Sequence, residues 1–182
     1  MSRISGRGVY LRPSALTDFE EWTDLRRSSQ SFISPWEPTW DDDLSLTGFR
    51  QRLARQADEI ASDRSYTLLC FRASDKRMFG QLSLGQVKRG AAQSAILGGW
   101  VGREYSGRGL AHRAVLAGLS FAFGPLGLRR IEAATLPENR NSIHLLRYVG
   151  FQIEGLARSY GKINGTWRDH ITWSVLAADL KT

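Results

Sequence analysis

Short stretches in which apolar residues alternate with polar ones or run together predict β-strands in seven places along the chain. The predicted strands cover residues 9–12, 66–72, 80–87, 93–101, 130–136, 151–159 and 167–176. Only a few turn-forming residues separate the third strand from its two neighbours, and Asn164-Gly165 separates the last two strands. Links this short join antiparallel neighbours. We therefore expect a mostly antiparallel sheet.

Four other segments are predicted to be helices, at residues 18–27, 46–61, 110–123 and 141–148. In the third of them the apolar residues fall on one side at helical spacing. Residues 32–40 contain two prolines and two tryptophans, which predicts an irregular loop. Strands and helices thus follow one another in mixed order, without an internal repeat or a linker. This order predicts one mixed α/β domain over residues 1–182, with helices flanking the sheet.

The composition supports a packed core and an anionic partner. Hydrophobic residues make up 42% of the chain, and 25 Lys and Arg against 18 Asp and Glu give a net charge of +7. Such an excess favours phosphates, acidic proteins or RNA without distinguishing among them. The one cysteine, Cys70, is predicted to be buried in a strand. With no apolar leader and no long uninterrupted apolar run, we expect a cytoplasmic protein away from the membrane.

A glycine-rich turn at residues 104–111, Glu-Tyr-Ser-Gly-Arg-Gly-Leu-Ala, joins a predicted strand to a predicted helix. Glycines let backbone N–H groups turn outward, and the first turn of a helix adds unpaired donors, so the segment suits a phosphate. Arg103, Arg108 and Arg113 add positive charge. An ordinary strand-to-helix turn explains the glycines equally well. A Rossmann dinucleotide site is disfavoured, because His112 stands where that motif needs a third small residue.

The same turn resembles the pyrophosphate-binding turn of the GNAT superfamily of N-acetyltransferases, with Glu104 in place of the usual Gln or Arg. The segments Asn139-Arg140-Asn141-Ser142 and Gly150-Phe151 resemble two further elements of that superfamily. The ribosomal-protein-alanine N-acetyltransferase branch, of RimJ/RimL type and closest to RimJ, is more similar still. Its blocks are matched in order, from about residue 9 to 176, by Pro35-Trp36-Glu37-Pro38 and by residues 130–133, 151–158 and 163–170.

The resemblance implies a sheet that splays at an acetyl-CoA site. The backbone of Trp100, Val101 and Gly102 would pair with pantetheine, and Val101 would offer an N–H to the thioester oxygen. The pyrophosphate would lie on the turn and the helix start. Asn139, before the next predicted helix, would bind pantetheine or order a water, with an ordinary turn residue as its alternative, and Ser142 in that helix would act at the sulfur. These implied cofactor-binding residues are Gly107, Arg108, Gly109, Leu110, Ala111, Asn139 and Ser142.

The implied reaction is direct attack of an amine on the thioester, and it needs a weak base and an acid. Glu132 and Glu104 are the candidate bases, with Glu37 a third; for each, a solvated or paired surface carboxylate is the competing interpretation. Leu146 occupies the place where many superfamily members have a tyrosine acid. Ser142 is therefore the candidate that orients or protonates the sulfur, and helix capping is its equal alternative.

The acceptor is expected between Trp36, Glu37 and Trp40, although core packing also explains the aromatic rings. The resemblance implies that the acceptor is the N-terminal α-amine of a protein, and in this branch of a ribosomal protein, with RNA nearby. We expect a monomer or a homodimer. One alternative is a polyamine or aminoglycoside acetyltransferase, in which Asp41-Asp42-Asp43 or Glu37 would bind the amine. Another is a non-catalytic CoA-binding or ribosome-associated module. The three histidines lack zinc spacing, so no metal is expected.

Overall fold

The computed structural model describes residues 1–38 and 43–179, and these residues form one eight-stranded sheet. In spatial order the strands are β1-β2-β3-β4-β5-β6-β8-β7. Every neighbouring pair is antiparallel except β5–β6, which is parallel. The strands span Ile4–Gly6, Val9–Arg12, Tyr66–Arg72, Met78–Lys88, Ser94–Val101, Arg130–Thr135, Gln152–Ile163 and Thr166–Leu176, from β1 to β8. The mixed α/β fold with a mostly antiparallel sheet is therefore confirmed.

Five α-helices flank the sheet in the described part of the chain. They span Phe19–Ser28, Gln30–Ile33, Leu46–Ala61, Leu110–Phe123 and Arg140–Val149, from α1 to α5. Short 3-10 turns occupy Leu16–Asp18, Ser34–Trp36 and Arg103–Tyr105. None of the helices among residues 1–38 and 43–179 has the length and apolar character needed to cross a bilayer.

Two local predictions need correction. Strand β1 was not predicted, because three residues with a glycine at one end carry too little pattern. Residues 32–38 are not wholly irregular: α2 reaches Ile33, and a 3-10 turn follows with Pro35 among its first residues. Proline is compatible with the first turn of a helix, since its missing N–H has no partner there.

Helix α4 packs across one face of the sheet. Its buried residues include Ala114, Val115, Leu119 and Ala122, as the helical spacing predicts. Gly118 brings the helix close to β4, where an added Cβ would come within 3.0 Å of the Leu82 side chain. Because Gly118 has no side chain, α4 can pack this closely against β4.

Strands β5 and β6 begin as hydrogen-bonded neighbours and then separate. Their parallel pairing covers only Ser94–Ile96 against Arg130–Glu132. Beyond that point β5 keeps its antiparallel pairing with β4 as far as Val101, and β6 keeps its pairing with β8 as far as Thr135. A wedge therefore opens in the middle of the sheet, with free edges of two strands facing each other.

Candidate acetyl-CoA and acceptor site

The wedge between β5 and β6 is the base of a cleft with a volume of about 820 Å³. Gly98, Gly99, Trp100 and Val101 line it from β5, while the residues from Ala133 to Leu136 line it from the β6 side. Gly98 and Gly99 are exposed, in contrast to the buried start of the same strand. The free strand edges offer N–H and C=O groups to an extended ligand, as in the addition of a strand to a sheet.

Next to the wedge, the glycine-rich turn leads directly into α4. Gly107 and Gly109 have φ of +73° and +72°, a left-handed conformation that favours glycine. The first helical hydrogen bond runs from the Arg113 N–H to the Gly109 carbonyl, at 3.3 Å. The N–H groups of Leu110, Ala111 and His112 therefore precede the helical ladder, and no side chain caps them. Such an end suits an anion.

Not every residue predicted for this region faces the cleft. The Gly102 N–H donates to the Phe79 carbonyl at 2.9 Å, and the Gly102 carbonyl accepts from the Tyr105 N–H at 2.9 Å. The expected backbone pairing of Gly102 with pantetheine is therefore corrected: only Trp100 and Val101 of that set line the cleft. Glu104 and Arg108 are exposed side chains beside the turn and do not line the cleft.

Two residues at the start of α5 enter the cleft from the other side. Asn139 is the N-cap: its Oδ1 accepts a hydrogen bond of 3.2 Å from the Ser142 N–H. The Ser142 side chain is half-buried and lines the cleft, and its hydroxyl takes no part in the cap. Helix capping was the alternative to a catalytic role for the Ser142 hydroxyl. The Asn139 side chain, and not that hydroxyl, caps α5.

Glu132 lies in an ion-pair network instead of the cleft. Its carboxylate accepts from Arg130 Nε at 2.9 Å, and the Arg130 guanidinium also binds both carboxylate oxygens of Glu154. The two carboxylates raise the pKa of Arg130, and Arg130 together with Ser174 lowers the pKa of Glu154 to about 2. The structure therefore does not bring Glu132 to the expected cofactor.

Another wall of the cleft is built from the segment that follows α2. Trp36 and Glu37 line it, and Trp36 is 40% exposed. The Glu37 carboxylate is held by both guanidinium nitrogens of the buried Arg26, at 2.5 and 3.2 Å. The same guanidinium lies 4.9 Å from the centre of the Trp100 ring. Trp40, Asp41 and Asp42 lie outside the described residues.

Pattern alone did not single out two further polar residues of the cleft. The Gln81 Oε1 atom is buried without a hydrogen-bond partner in the described structure, so a ligand N–H would satisfy it. His170 is only 7% exposed and also lines the cleft. Their positions follow from strand register: Gln81 stands opposite Trp100 in β4–β5, and His170 opposite Ala157 in β7–β8.

Cys70 reaches the same cleft but is a poor nucleophile. It is buried, as predicted, and burial raises the pKa of its thiol well above the ordinary value. The neutral thiol therefore acts as a small apolar lining group. In the described ranges 1–38 and 43–179, no three His, Cys, Asp or Glu side chains are grouped so as to hold a metal ion.

The chain matches the family model described as an acetyltransferase (GNAT) domain over residues 9–152. It is 36% identical over 177 residues to the probable N-acetyltransferase YjcK of Bacillus subtilis (strain 168), a match that covers 97% of this chain and 98% of that protein. It is 28% identical over 165 residues to the [ribosomal protein uS5]-alanine N-acetyltransferase of Escherichia coli (strain K12), covering 89% and 85% of the two chains.

The solved structure of Mycobacterium smegmatis RimJ in complex with CoA-disulfide resembles this chain along its whole length. The TM-score is 0.91 at 32% sequence identity, with 100% of this chain and 88% of that chain covered. Fold and sequence therefore agree on the same group of relatives.

Proposed function

The chain belongs to the GNAT acetyltransferase family, and from that premise we propose that it transfers an acetyl group from acetyl-CoA to the N-terminal α-amine of a protein. The observation that carries this proposal is the wedge between β5 and β6, with unpaired N–H groups at the start of α4 beside it. An extended thioester arm fits the free strand edges, and a pyrophosphate fits the helix start. The Mycobacterium smegmatis relative was solved with a CoA disulfide, which agrees with this assignment.

Each part of the site has a task under this proposal. The N–H groups of residues 107–111 hold the pyrophosphate, and the edge of β5 at Trp100 and Val101 aligns the pantetheine. An N–H near Val101 polarises the thioester oxygen as negative charge develops on it. The Ser142 hydroxyl orients the sulfur and gives it a proton as the thiolate leaves. Asn139 keeps α5, and with it Ser142, in place.

An α-amine is the acceptor that makes the least demand on this site. Its pKa is about 7.7–8.0, so the neutral form at pH 7 costs roughly 1–1.4 kcal/mol, against roughly 4–5 kcal/mol for a lysine side chain. A weak base is therefore sufficient. The E. coli relative is named as a [ribosomal protein uS5]-alanine N-acetyltransferase, and we propose an Ala- or Ser-initiated ribosomal protein as the acceptor. The net charge of +7 would favour approach to a ribosome's RNA.

Release of free thiol from acetyl-CoA, measured over a panel of amines, tests the proposal. The panel contains Ala- and Ser-initiated peptides, the same peptides with blocked N-termini, an internal-lysine peptide, spermidine and kanamycin. We expect the highest kcat/KM with an unblocked Ala- or Ser-initiated peptide and no turnover with the blocked versions. A preference for spermidine or kanamycin would contradict the protein acceptor. If calorimetry showed that the folded protein does not bind CoA, the whole assignment would be contradicted.

A further inference from the structure

His170 is a buried imidazole in the wall of the cleft. It lies on β8 and is 7% exposed, yet it lines the cleft together with Trp36 and Glu37. The β7–β8 turn is joined to the segment that carries Trp36 by a hydrogen bond of 3.3 Å from Asn164 Nδ2 to the Ser34 carbonyl. An amine bound beside Trp36 and Glu37 would therefore lie in the cleft that His170 also lines.

The hydrogen bond made by the ring determines which nitrogen is free. His170 Nδ1 is 3.0 Å from the Arg168 carbonyl oxygen. A carbonyl can only accept, so Nδ1 carries the hydrogen and donates it. In the neutral ring the lone pair is then on Nε2, which has no hydrogen-bond partner among the described residues. A fixed tautomer of this kind is the usual way in which a catalytic imidazole is oriented.

The neighbouring strand leaves space for this ring. Gly161 on β7 packs against it, and a Cβ added there would lie 3.3 Å from His170 Cε1 and 3.8 Å from Nε2. Tyr160 lies on the same strand, with its ring centre 5.2 Å from that of His170. A side chain at position 161 would push the imidazole, so the glycine keeps both the ring position and the access to Nε2.

The charged and titratable groups around His170 come from three elements. Tyr160 is on β7, and Arg168 and Asp169 are on β8. Glu138, in the turn before α5, pairs with Arg168. A hydrogen bond from its own backbone N–H first, and Arg168 second, lower the pKa of Glu138. Asp169 accepts from the Ser159 N–H at 2.8 Å. Arg168 and Glu138 thus largely balance each other, and Asp169 is engaged with the β7 backbone.

We propose that His170 is the general base that takes the proton from the acceptor's ammonium group. This inference rests on the proposed acetyl transfer and adds the base for it. The ammonium N–H bond breaks, and the proton moves to His170 Nε2, directly or through one water. The neutral nitrogen then forms a bond to the acetyl carbon, and the carbon–sulfur bond breaks. The second proton of the nitrogen passes to the Ser142 hydroxyl as that hydroxyl gives its own proton to the departing sulfur, and the imidazolium later returns its proton to solvent.

The test compares wild type with His170→Asn across pH 5.5 to 9.5, with kcat/KM for an Ala-initiated peptide as the readout. An Asn side chain can still donate to the Arg168 carbonyl but has no atom in the place of Nε2. We expect a loss of about 100-fold at pH 7, within the range for general base catalysis. The deficit should shrink above the pKa of the amine, where the acceptor is already neutral. A loss below threefold at pH 7, or one that is equal at every pH, would overturn the proposal.

Two further variants separate catalysis from folding. Gly161→Ala keeps the imidazole but displaces it, and we expect a loss of about three- to tenfold with the pH profile of wild type. Thr172→Val removes the hydrogen bond of 3.2 Å from Thr172 Oγ1 to the Gly155 carbonyl on the same hairpin. It should leave kcat/KM within about twofold of wild type. If Gly161→Ala caused no loss, the position of the ring would not matter and the proposal would fail.

The result also separates this inference from the proposed function. If wild type acetylated only spermidine or kanamycin, the protein acceptor would be wrong, and the same pH comparison on that amine would decide the role of His170. If wild type bound CoA but released thiol with no amine, both would fail. Calorimetry with CoA should give the same affinity for His170→Asn as for wild type, because the proposal assigns CoA binding to other residues and gives His170 only the proton of the acceptor amine.

Discussion

The Ser142 hydroxyl is available to a ligand because the cap of α5 uses the backbone of this residue instead. The Ser142 N–H donates to Asn139 Oδ1, and the side chain is half-buried in the cleft. A serine third in a helix has no intrinsic advantage over alanine in stability. The hydroxyl is therefore expected to matter for the reaction and not for the fold.

Replacing this serine tests that separation. For Ser142→Ala we expect kcat with an Ala-initiated peptide to fall about 10- to 100-fold, because the departing thiolate loses its proton donor. The melting temperature should stay within about 2 °C of wild type, since the cap remains. Thiol release at saturating acetyl-CoA and thermal unfolding are the two measurements.

Asn139 provides the matched comparison on the same turn. Asn139→Ala should cost about 1 kcal/mol of stability through loss of the cap, whereas Asn139→Asp should keep it. If Ser142→Ala instead lost stability like Asn139→Ala and kept its kcat, the hydroxyl would be structural.

Single residues were predictable where a local motif carries them and not where strand register decides. Ser142, Asn139, Trp36 and Glu37 line the cleft, and their roles in binding and catalysis stay predictions. Glu132 alternates with Ile131 and Ala133 along β6, and its side chain joins Arg130 and Glu154 in an ion-pair network instead of lining the cleft. The place of His170 in the cleft could not be predicted without the pairing of β7 with β8. The register of this pair shifts at a bulge between Ala157 and Gly161. No local pattern reports such a shift.

At the scale of elements, the turn before α4 combines two left-handed glycines with an uncapped helix start. Gly109 is the N-cap residue, with φ of +72° and no side-chain cap hydrogen bond. Most helices satisfy these first donors with a Ser, Thr, Asp or Asn side chain. Without such a side chain the first donors can bind an anion, so we expect the conformation of Gly109 to be coupled to CoA binding.

Gly109→Ala is expected to weaken CoA binding at least about tenfold. A Cβ disfavours the left-handed conformation by about 1–2 kcal/mol. The backbone at position 109 would therefore change conformation, and the N–H groups at the helix start would no longer point toward the pyrophosphate. Calorimetry with CoA gives the affinity, and urea unfolding gives the stability cost.

Gly127 is the control for this change. It lies in the loop after α4, has φ of +64°, and like Gly109 has open space where a Cβ would be placed. Gly127→Ala should lose a similar amount of stability and bind CoA like wild type. An equal loss of affinity in both variants would mean that the turn acts only through the stability of α4.

Elements with strong local signals were predicted closely. Helix α3 spans Leu46–Ala61 as expected, and its N-cap Ser45 accepts from the Gly48 N–H. The turn at Asn164 and Gly165 has φ of +46° and +78°, as an Asn-Gly hairpin turn requires. The separation of β5 from β6 was implied only by the family resemblance. The residue at which two paired strands separate depends on contacts between distant parts of the chain. The sequence of either strand alone does not determine it.

For the molecule as a whole, the wedge requires a sheet that is open at one end and firmly closed at the other. At the closed end β5 and β6 pair through Ser94–Ile96 and Arg130–Glu132. Arg130 binds Glu132 on its own strand and Glu154 on β7, and Ser174 Oγ on the intervening β8 donates to Glu154 at 2.8 Å. This network spans three strands, so the half of the sheet beyond the wedge is held together by charge as well as by backbone bonds.

The acid dependence of stability reports on this network. The pKa of Glu154 is lowered to about 2 by Arg130 first and Ser174 second, so the folded state favours the carboxylate. A lowered carboxyl pKa stabilises the fold above the unfolded value of about 4.3, and this contribution is lost as the pH falls toward 2. Because the Glu154 side chain is 42% exposed, we expect only about 0.5–1 kcal/mol.

Glu154→Gln should therefore reduce the free energy of unfolding at pH 7 and flatten its decrease between pH 5 and pH 2. Urea unfolding at a series of pH values in low salt measures both effects. Ser174→Ala, which removes one of the two interactions, should fall between wild type and Glu154→Gln. The difference between wild type and Glu154→Gln should shrink in high salt, because exposed charges are screened. Parallel acid profiles for all three proteins would show that the closed end of the wedge depends on backbone pairing alone.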